Sequence, residues 1–365
     1  MSKEQSATSP GFHDADSLAT AVTSAPTSIS AKSRLLQTLL GISSSHPLIQ
    51  NTFDAYFDYY THQCDLFSIE QSDCLSQSSN GRSHIATHQD IANAAELFAA
   101  GTRHREAVIQ DLQAPKSASG NGSSFTEDEI AVSINWIARL MTMVDIGKLS
   151  YAFSSRKPLL WDTGSLRDFL ADVFVPRGPD QSHVRLEKTF NARNLSRLAG
   201  VEVEWTSDLA SHLSLRDDDT KLLVFHHATF LENVNSDIFP PGFCEETLQT
   251  IALLLPASDA DTRKWYRKQQ SAHNLDHAVM KCRKLRADDR RIENFHNWRE
   301  RICILKQVFD EAEPSTLSQW WYDRRKGPQW YTFWVAVAVL ILTVFFGVIQ
   351  SIEGALQVYK AYHPS

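Results

Sequence analysis

The chain has 365 residues, of which 42% are hydrophobic and 22% charged, and its net charge is −7. This balance supports one large or two modest folded domains and excludes a chain disordered throughout, while the acidic excess argues against nucleic acid as a partner of the whole protein. The five cysteines (Cys64, Cys74, Cys244, Cys282 and Cys303) are odd in number and form no CxxC pair, so they read as reduced thiols of a cytosolic protein rather than a disulfide framework.

Residues 1–33 are rich in Ser, Thr and Ala and hold no apolar stretch of signal-peptide length. Glu4, Asp14 and Asp16 argue against a mitochondrial transit peptide, and the segment reads as a disordered tail. An N-terminal helical region is expected over 34–113. Within it Leu35, Leu36, Leu39 and Leu40, then Ile49, Phe53, Tyr56, Phe57 and Tyr60, fall at helical spacing and predict two helices separated near 43–47. A Ser-rich loop is expected at 68–82, then one helix over 88–112 with Ile91, Ala95, Leu97 and Phe98 on its apolar side. The composition of 114–125 is that of a flexible linker.

An α+β domain is expected over 126–313. Thr126 and Glu129 form an S/T-x-x-E capping box ahead of a helix whose apolar face is Ile130, Ile134, Ile137, Met141 and Val144, with Gly147 as its stop. Ser165 predicts a second helix start, closed before Pro176, and 186–199 a third helix, closed by Gly200. Residues 201–205 alternate apolar and acidic as a half-buried strand does, Ser207 is a candidate cap for a short helix, and 221–225 read as a more buried strand. Pro240, Pro241 and Gly242 break the chain before a helix over 245–255. Residues 263–306 are expected to be mostly helical and basic, with 13 Lys or Arg against 5 Asp or Glu.

Residues 314–329 form a juxtamembrane segment. The next 20 residues, 330–349, carry no charge and are apolar all round. At about 1.5 Å per residue they reach roughly 30 Å, the hydrocarbon thickness of a bilayer. Trp330, Tyr331 and Trp334 stand at the near interface, Leu340 and Phe345 in the interior, and Ile349 at the far end. Arg324, Arg325 and Lys326 immediately precede the span, so the positive-inside rule places the N-terminal bulk in the cytosol and the tail, 350–365, across the membrane. This is the pattern of a tail-anchored protein inserted after synthesis. The glycosylation sequons at Asn121 and Asn194 then stay unmodified. The span length suits a thin endomembrane such as the endoplasmic reticulum.

Catalytic and metal motifs are sparse. The pairs His84/His88 and His273/His277 have i, i+4 spacing, but neither contains the Glu of an HExxH site, and they read as surface or core histidines. His226 and His227, at the end of a strand, are expected to point to opposite faces and so not to share a metal. Asp217, Asp218 and Asp219 read as a turn, since an EF-hand needs spaced ligands, a Gly and a distal Glu. Cys244 is followed by Glu245 and Glu246, whose charge disfavours a thiolate. No GxSxG, P-loop or GxGxxG occurs, and no cofactor is implied. The basic stretch carries three readings: a solvated face, a surface for anionic lipid over 263–326, or a nucleic-acid site. The helix–strand–strand order of 186–231 allows a winged-helix regulator, against which Glu202, Glu204 and Asp217 to Asp219 set negative charge.

The stretches FNARNLSRLAGVEVEWTSDLASHLSL, DDDTKLLVFHHATFLE and WWYDRRKGPQWYTFWVAVAVLILTVFFGVIQSIEGALQVYKAYHP resemble a recurrent group of fungal proteins with a C-terminal membrane helix. The resemblance covers roughly 150–365 and implies a fungal source and an anchor; it brings no catalytic residue with it. The expected architecture is therefore a mainly α domain with a small sheet in the cytosol, plus one transmembrane helix. The expected function is a non-enzymatic scaffold or adaptor that recruits a protein partner at an endomembrane. A membrane-tethered enzyme or accessory protein acting on an apolar metabolite is the alternative.

Overall fold

A computed structural model describes residues 18–26, 28–42, 52–75, 85–98, 101–113, 125–149, 157–176, 184–312 and 327–363. It has the expected class: mostly helical, with a three-stranded sheet and one long apolar helix near the C-terminus. The helices preceding the sheet are α1 (Ile29–Leu40), α2 (Asp54–Leu75), α3 (His88–Glu96), α4 (Arg105–Gln113), α5 (Glu127–Thr142), α6 (Leu166–Val173) and α7 (Ala192–Leu198). The sheet follows, as β1 (Glu202–Thr206), β2 (Leu215–Arg216) and β3 (Lys221–Phe225). The chain continues with α8 (Ala228–Asn233), α9 (Phe243–Leu254), α10 (Ala260–His273), α11 (Arg299–Glu311) and α12 (Gly327–Tyr362).

Helices α2 and α5 form the centre. The five predicted face residues of α5 are fully buried, and its capping box closes on Thr126 and Glu129. Phe67 of α2 stacks on Trp136 of α5 with centroids 3.9 Å apart. The last turn of a helix leaves carbonyls without a partner. Here the Tyr56 hydroxyl donates to the Leu140 carbonyl at 2.8 Å and the Tyr59 hydroxyl to the Arg139 carbonyl at 3.0 Å. Arg139 also makes a two-pronged, buried ion pair with Glu70, at 3.0 and 2.6 Å. Helix α5 ends at Thr142, with Met143 left-handed at φ 51°, so Gly147 is not its stop.

The chain joins the core earlier than its composition suggests. Leu18 and Val22 are buried, and Val22 donates its N–H to the Ala86 carbonyl. His88 locks this segment in place: its Nε2 donates to the Ser24 carbonyl at 2.8 Å, so its Nδ1 accepts from the Tyr60 hydroxyl at 2.7 Å. One hydrophobic core runs from Leu18 to Phe309. The N-terminal helical region and the α+β region therefore share an interior, and the linker composition of 114–125 does not divide it; residues 114–124 lie outside the described residues.

Several boundaries differ from the periodicity. Helix α2 runs on through the Ser-rich start of the expected loop to Leu75. The single helix expected over 88–112 is two, because Gly101 turns the chain at φ +63° where a Cβ would meet Ile238 at 3.2 Å. The helix expected over 186–199 begins only at Ala192, where the Asn191 side chain caps it. The short element after β1 is a 3₁₀ turn, Leu209–Ser211, capped by Asp208 rather than Ser207. Strand β3 is central: β1 pairs with it in parallel, with Thr206 opposite Phe225, and β2 pairs antiparallel. The two strands expected at 201–205 and 221–225 pair in parallel and so form no hairpin with each other; the hairpin is β2–β3.

Candidate functional site

The first candidate is the membrane helix. α12 contains one span, Trp330–Tyr362, long and apolar enough to cross a bilayer, and none of its most apolar window is buried in the protein. A core helix of a soluble domain is covered, and this one is not. Nine large aliphatic or aromatic side chains from Val335 to Val348 are each more than half exposed. At about 2 kcal/mol per side chain, leaving them in water costs on the order of 20 kcal/mol, which a hydrocarbon environment removes. Tyr331, Leu340 and Phe345 are exposed, and Trp330, Trp334 and Ile349 half-exposed. Thr332 and Thr343 donate to the Pro328 and Val339 carbonyls, hiding their hydroxyls from lipid. The helix outruns the expected 330–349 and stops only at Tyr362, just before His363 and Pro364. Arg324, Arg325 and Lys326 lie outside the described residues.

The basic stretch 263–306 is not one helical face. Helix α10 ends at His273 with Asn274 left-handed, so His273 and His277 do not share a helix; His84 of the other pair lies outside the described residues. Four of the cations are structural. Arg290 is buried, Arg299 donates to the Phe295 and Glu293 carbonyls, Arg301 donates to the Ala210 carbonyl, and Lys306 pairs with Asp310. The other nine are exposed, beginning with Arg263, Lys264, Arg267 and Lys268 on two adjacent stripes of α10.

The second candidate is a cleft of about 420 Å³ outside the carboxyl ends of the parallel strands β1 and β3, where open α/β sheets bind their ligands. One face of α2, including Asp58, Tyr59 and Gln63, walls one side, and Asp145 and Asn274 complete the rim. The floor is the pair of segments that leave the strands, Ser207–Asp208 and His226–His227. β3 ends at Phe225, so the two histidines leave strand geometry and do not point to opposite faces. Their rings lie over each other with centroids 4.0 Å apart.

Each histidine has a fixed partner. His226 Nδ1 accepts from the Asp276 backbone N–H at 3.5 Å. His227 Nε2 is 2.8 Å from the Ser207 hydroxyl, while its Nδ1 is buried without a protein partner. Burial holds both in the neutral form, lowering His226 to about 4 and His227 well below the ordinary range. A serine nucleophile needs its base oriented by a third group on the other ring nitrogen. Among the described residues no such group meets His227 Nδ1, so the Ser207–His227 pair stands as an ordered polar contact and forms no triad with them. Among the described residues no group of three or more His, Cys, Asp or Glu is arranged to hold a metal ion.

Cys64, Cys244, Cys282 and Cys303 are free thiols. Burial, rather than the adjacent glutamates, pushes the Cys244 thiol up to about 12. Cys64 and Cys282 are also raised to about 12, with burial the main cause. No protein-family model, curated protein or solved structure matches this chain.

The cleft is the site that sequence reasoning missed. Its residues come from five separate segments, and only the HH dipeptide and the i, i+4 spacing along α2 mark it in the linear chain.

Proposed function

We propose that the chain is a single-pass membrane-anchored adaptor, which holds its α-rich domain at the cytosolic face of an endomembrane and recruits a protein partner there. The observation that carries the reading is α12, a helix with 20 uncharged residues at 330–349 and none of its most apolar window buried. The orientation rests on the Arg324, Arg325 and Lys326 triplet, and the choice of a thin membrane such as the endoplasmic reticulum on the 20 uncharged residues. The nine exposed cations of 263–306 supply the second contact, with the anionic cytosolic leaflet, at about 1 kcal/mol per cation near the surface. The fungal group that the C-terminal block resembles belongs to the same proposal.

The test is extraction and protection of the full chain in microsomes. The protein is expected to stay with membranes through an alkaline carbonate wash. Protease added outside is expected to digest the N-terminal bulk, and Asn121 and Asn194 are expected to carry no sugar. Release by carbonate refutes the anchor; sugar at either asparagine refutes the orientation. The adaptor role is tested by crosslinking in intact membranes before mild solubilisation, and recovery of the chain alone overturns it.

A further inference from the structure

The cleft at the ends of β1 and β3 has a chemical signature of its own. Three residues that wall it carry polar atoms buried without a protein partner: Gln63 Oε1, Trp205 Nε1 and His227 Nδ1. Gln63 is 4% exposed and His227 2%. Leaving a buried polar atom unpaired costs about 1–3 kcal/mol each, and such atoms gather where a ligand completes them. Two sit on the floor and α2 wall, and the third on the strand between.

The character of these atoms is readable. Gln63 Oε1 is an acceptor. His227 has two tautomers: one donates from Nε2 to Ser207 Oγ and leaves a lone pair on Nδ1, the other leaves an N–H unmet. A donating ligand selects the first of these, in which Nδ1 is also an acceptor. Two acceptors therefore ask for a donor. Around them stand three carboxylates (Asp58, Asp145 and Asp208) and the histidines His62, His226 and His273, and among the described residues no lysine or arginine lines the cleft. Tyr59 and Trp205 add aromatic rings, whose faces attract cations. The indole N–H of Trp205 asks for an oxygen on the same ligand. The three carboxylates repel anions such as phosphate.

We infer that this cleft binds a small organic amine, protonated at neutral pH and carrying an oxygen acceptor. The ammonium donates to Gln63 Oε1 and His227 Nδ1, the oxygen accepts from Trp205 Nε1, and the body lies on the rings. The volume of about 420 Å³ admits a molecule of drug-like size or less. The inference is independent of the membrane reading, since the cleft lies within the folded domain and not in α12.

The probes are tyramine and tyrosol, which differ by an ammonium against a hydroxyl, with inorganic phosphate as the anion. Binding to the full chain in mild detergent is read by titration calorimetry, and by the change in tryptophan fluorescence that Trp205→Phe should diminish. Tyramine is expected to bind saturably and at least about tenfold more tightly than tyrosol, and phosphate not at all. Gln63→Met keeps the side-chain volume and removes the unpaired acceptor. It is expected to weaken tyramine about tenfold and to leave the thermal midpoint equal or higher. No saturable tyramine binding, equal affinity for tyrosol, or binding of phosphate overturns the inference on the wild-type chain alone. Unchanged tyramine affinity in a folded Gln63→Met variant overturns the assigned contact.

Discussion

Acidifying the solution from about pH 7.5 to about pH 5 is expected to remove on the order of 4 kcal/mol of folding stability through two buried histidines. His212 is fully buried; its Nδ1 accepts from the Phe225 backbone N–H at 3.1 Å, which leaves Nε2–H to the Thr250 hydroxyl at 2.7 Å. Burial, with a smaller push from the Arg301 charge, lowers it to about 3. His226 is lowered to about 4, by burial first and then by His273. An unfolded histidine titrates near about 6.5. Between the two values the unfolded chain binds the proton and the folded chain does not, so stability is lost as pH falls below about 6.5. At pH 5 each group accounts for about 2 kcal/mol, against a typical total of about 5–15 kcal/mol. His227 is shifted in the same direction and deepens the loss. Asp276 and Glu232 are raised by burial and act in the opposite sense, since the folded chain takes up their protons first. The assay is urea unfolding of the full chain in mild detergent, followed by tryptophan fluorescence; the His212 ring lies 4.9 Å from that of Trp298. The midpoint should fall steadily below about pH 6.5. His212→Gln should flatten the slope by about 1.4 kcal/mol per pH unit, one proton's worth. A midpoint that holds or rises as the solution is acidified over this range refutes the reasoning.

The buried pair of Glu70 and Arg139 should behave asymmetrically. Arg139→Met strands a buried carboxylate and is expected to cost about 3–5 kcal/mol, whereas Arg139→Met with Glu70→Leu should recover most of it, as urea midpoints of the single and double variants will show. Asp217, Asp218 and Asp219 hold three successive left-handed conformations, and Asp219→Gly should raise stability by about 0.5–1 kcal/mol in the same measurement. In α12, Leu340→Arg with Phe345→Arg places two charges in mid-membrane at about 3 kcal/mol each. That variant should appear in the carbonate supernatant while the wild type does not.

Legibility in the sequence followed how local the cause was. The capping box at Thr126, the cap at Ser165 and the apolar run from 330 depend on residues a few positions apart, and each stands where the sequence puts it. The boundaries that shifted depend on distant partners. Nothing near Met143 shows that Tyr56 and Tyr59, 84 and 80 residues before the carbonyls they hold, secure the end of its helix. The burial of Leu18 and Val22 depends on Ala86 and His88, which a local window cannot see. Strand β2 is two residues long and has no period to detect. For the histidines at 226 and 227, strand alternation extended two residues too far gives the wrong geometry; the strand ends at Phe225, and the two rings then meet.

The geometry of α12 bears on how the domain meets the membrane. At about 1.5 Å per residue its 36 residues are about 54 Å long, against about 30 Å of hydrocarbon. Under the proposed anchoring, with Trp330 at the near interface, the apolar run is spent by Ile349, and the last turns, with Glu353 and Lys360, fall in or beyond the far headgroups. Between α11 and α12 lie the 15 residues 312–326, which at full extension reach about 50 Å. That length sets an upper bound on the distance between the end of α11 and the start of α12. Under the proposed anchoring, surface charge turns the domain toward the bilayer, and the exposed cations of α10 are one of the basic groupings on the described surface between 263 and 306. Arg263 and Arg267, four residues apart, form one of its two stripes, and Arg263→Glu with Arg267→Glu reverses the charge of that stripe. With the full chain held in neutral-lipid nanodiscs, this double change should reduce binding to added anionic vesicles by roughly tenfold at low salt. At about 1 M salt, where the screening length is about 3 Å, it should make little difference. Equal loss at both salt concentrations argues that the stripe contacts a protein and not lipid.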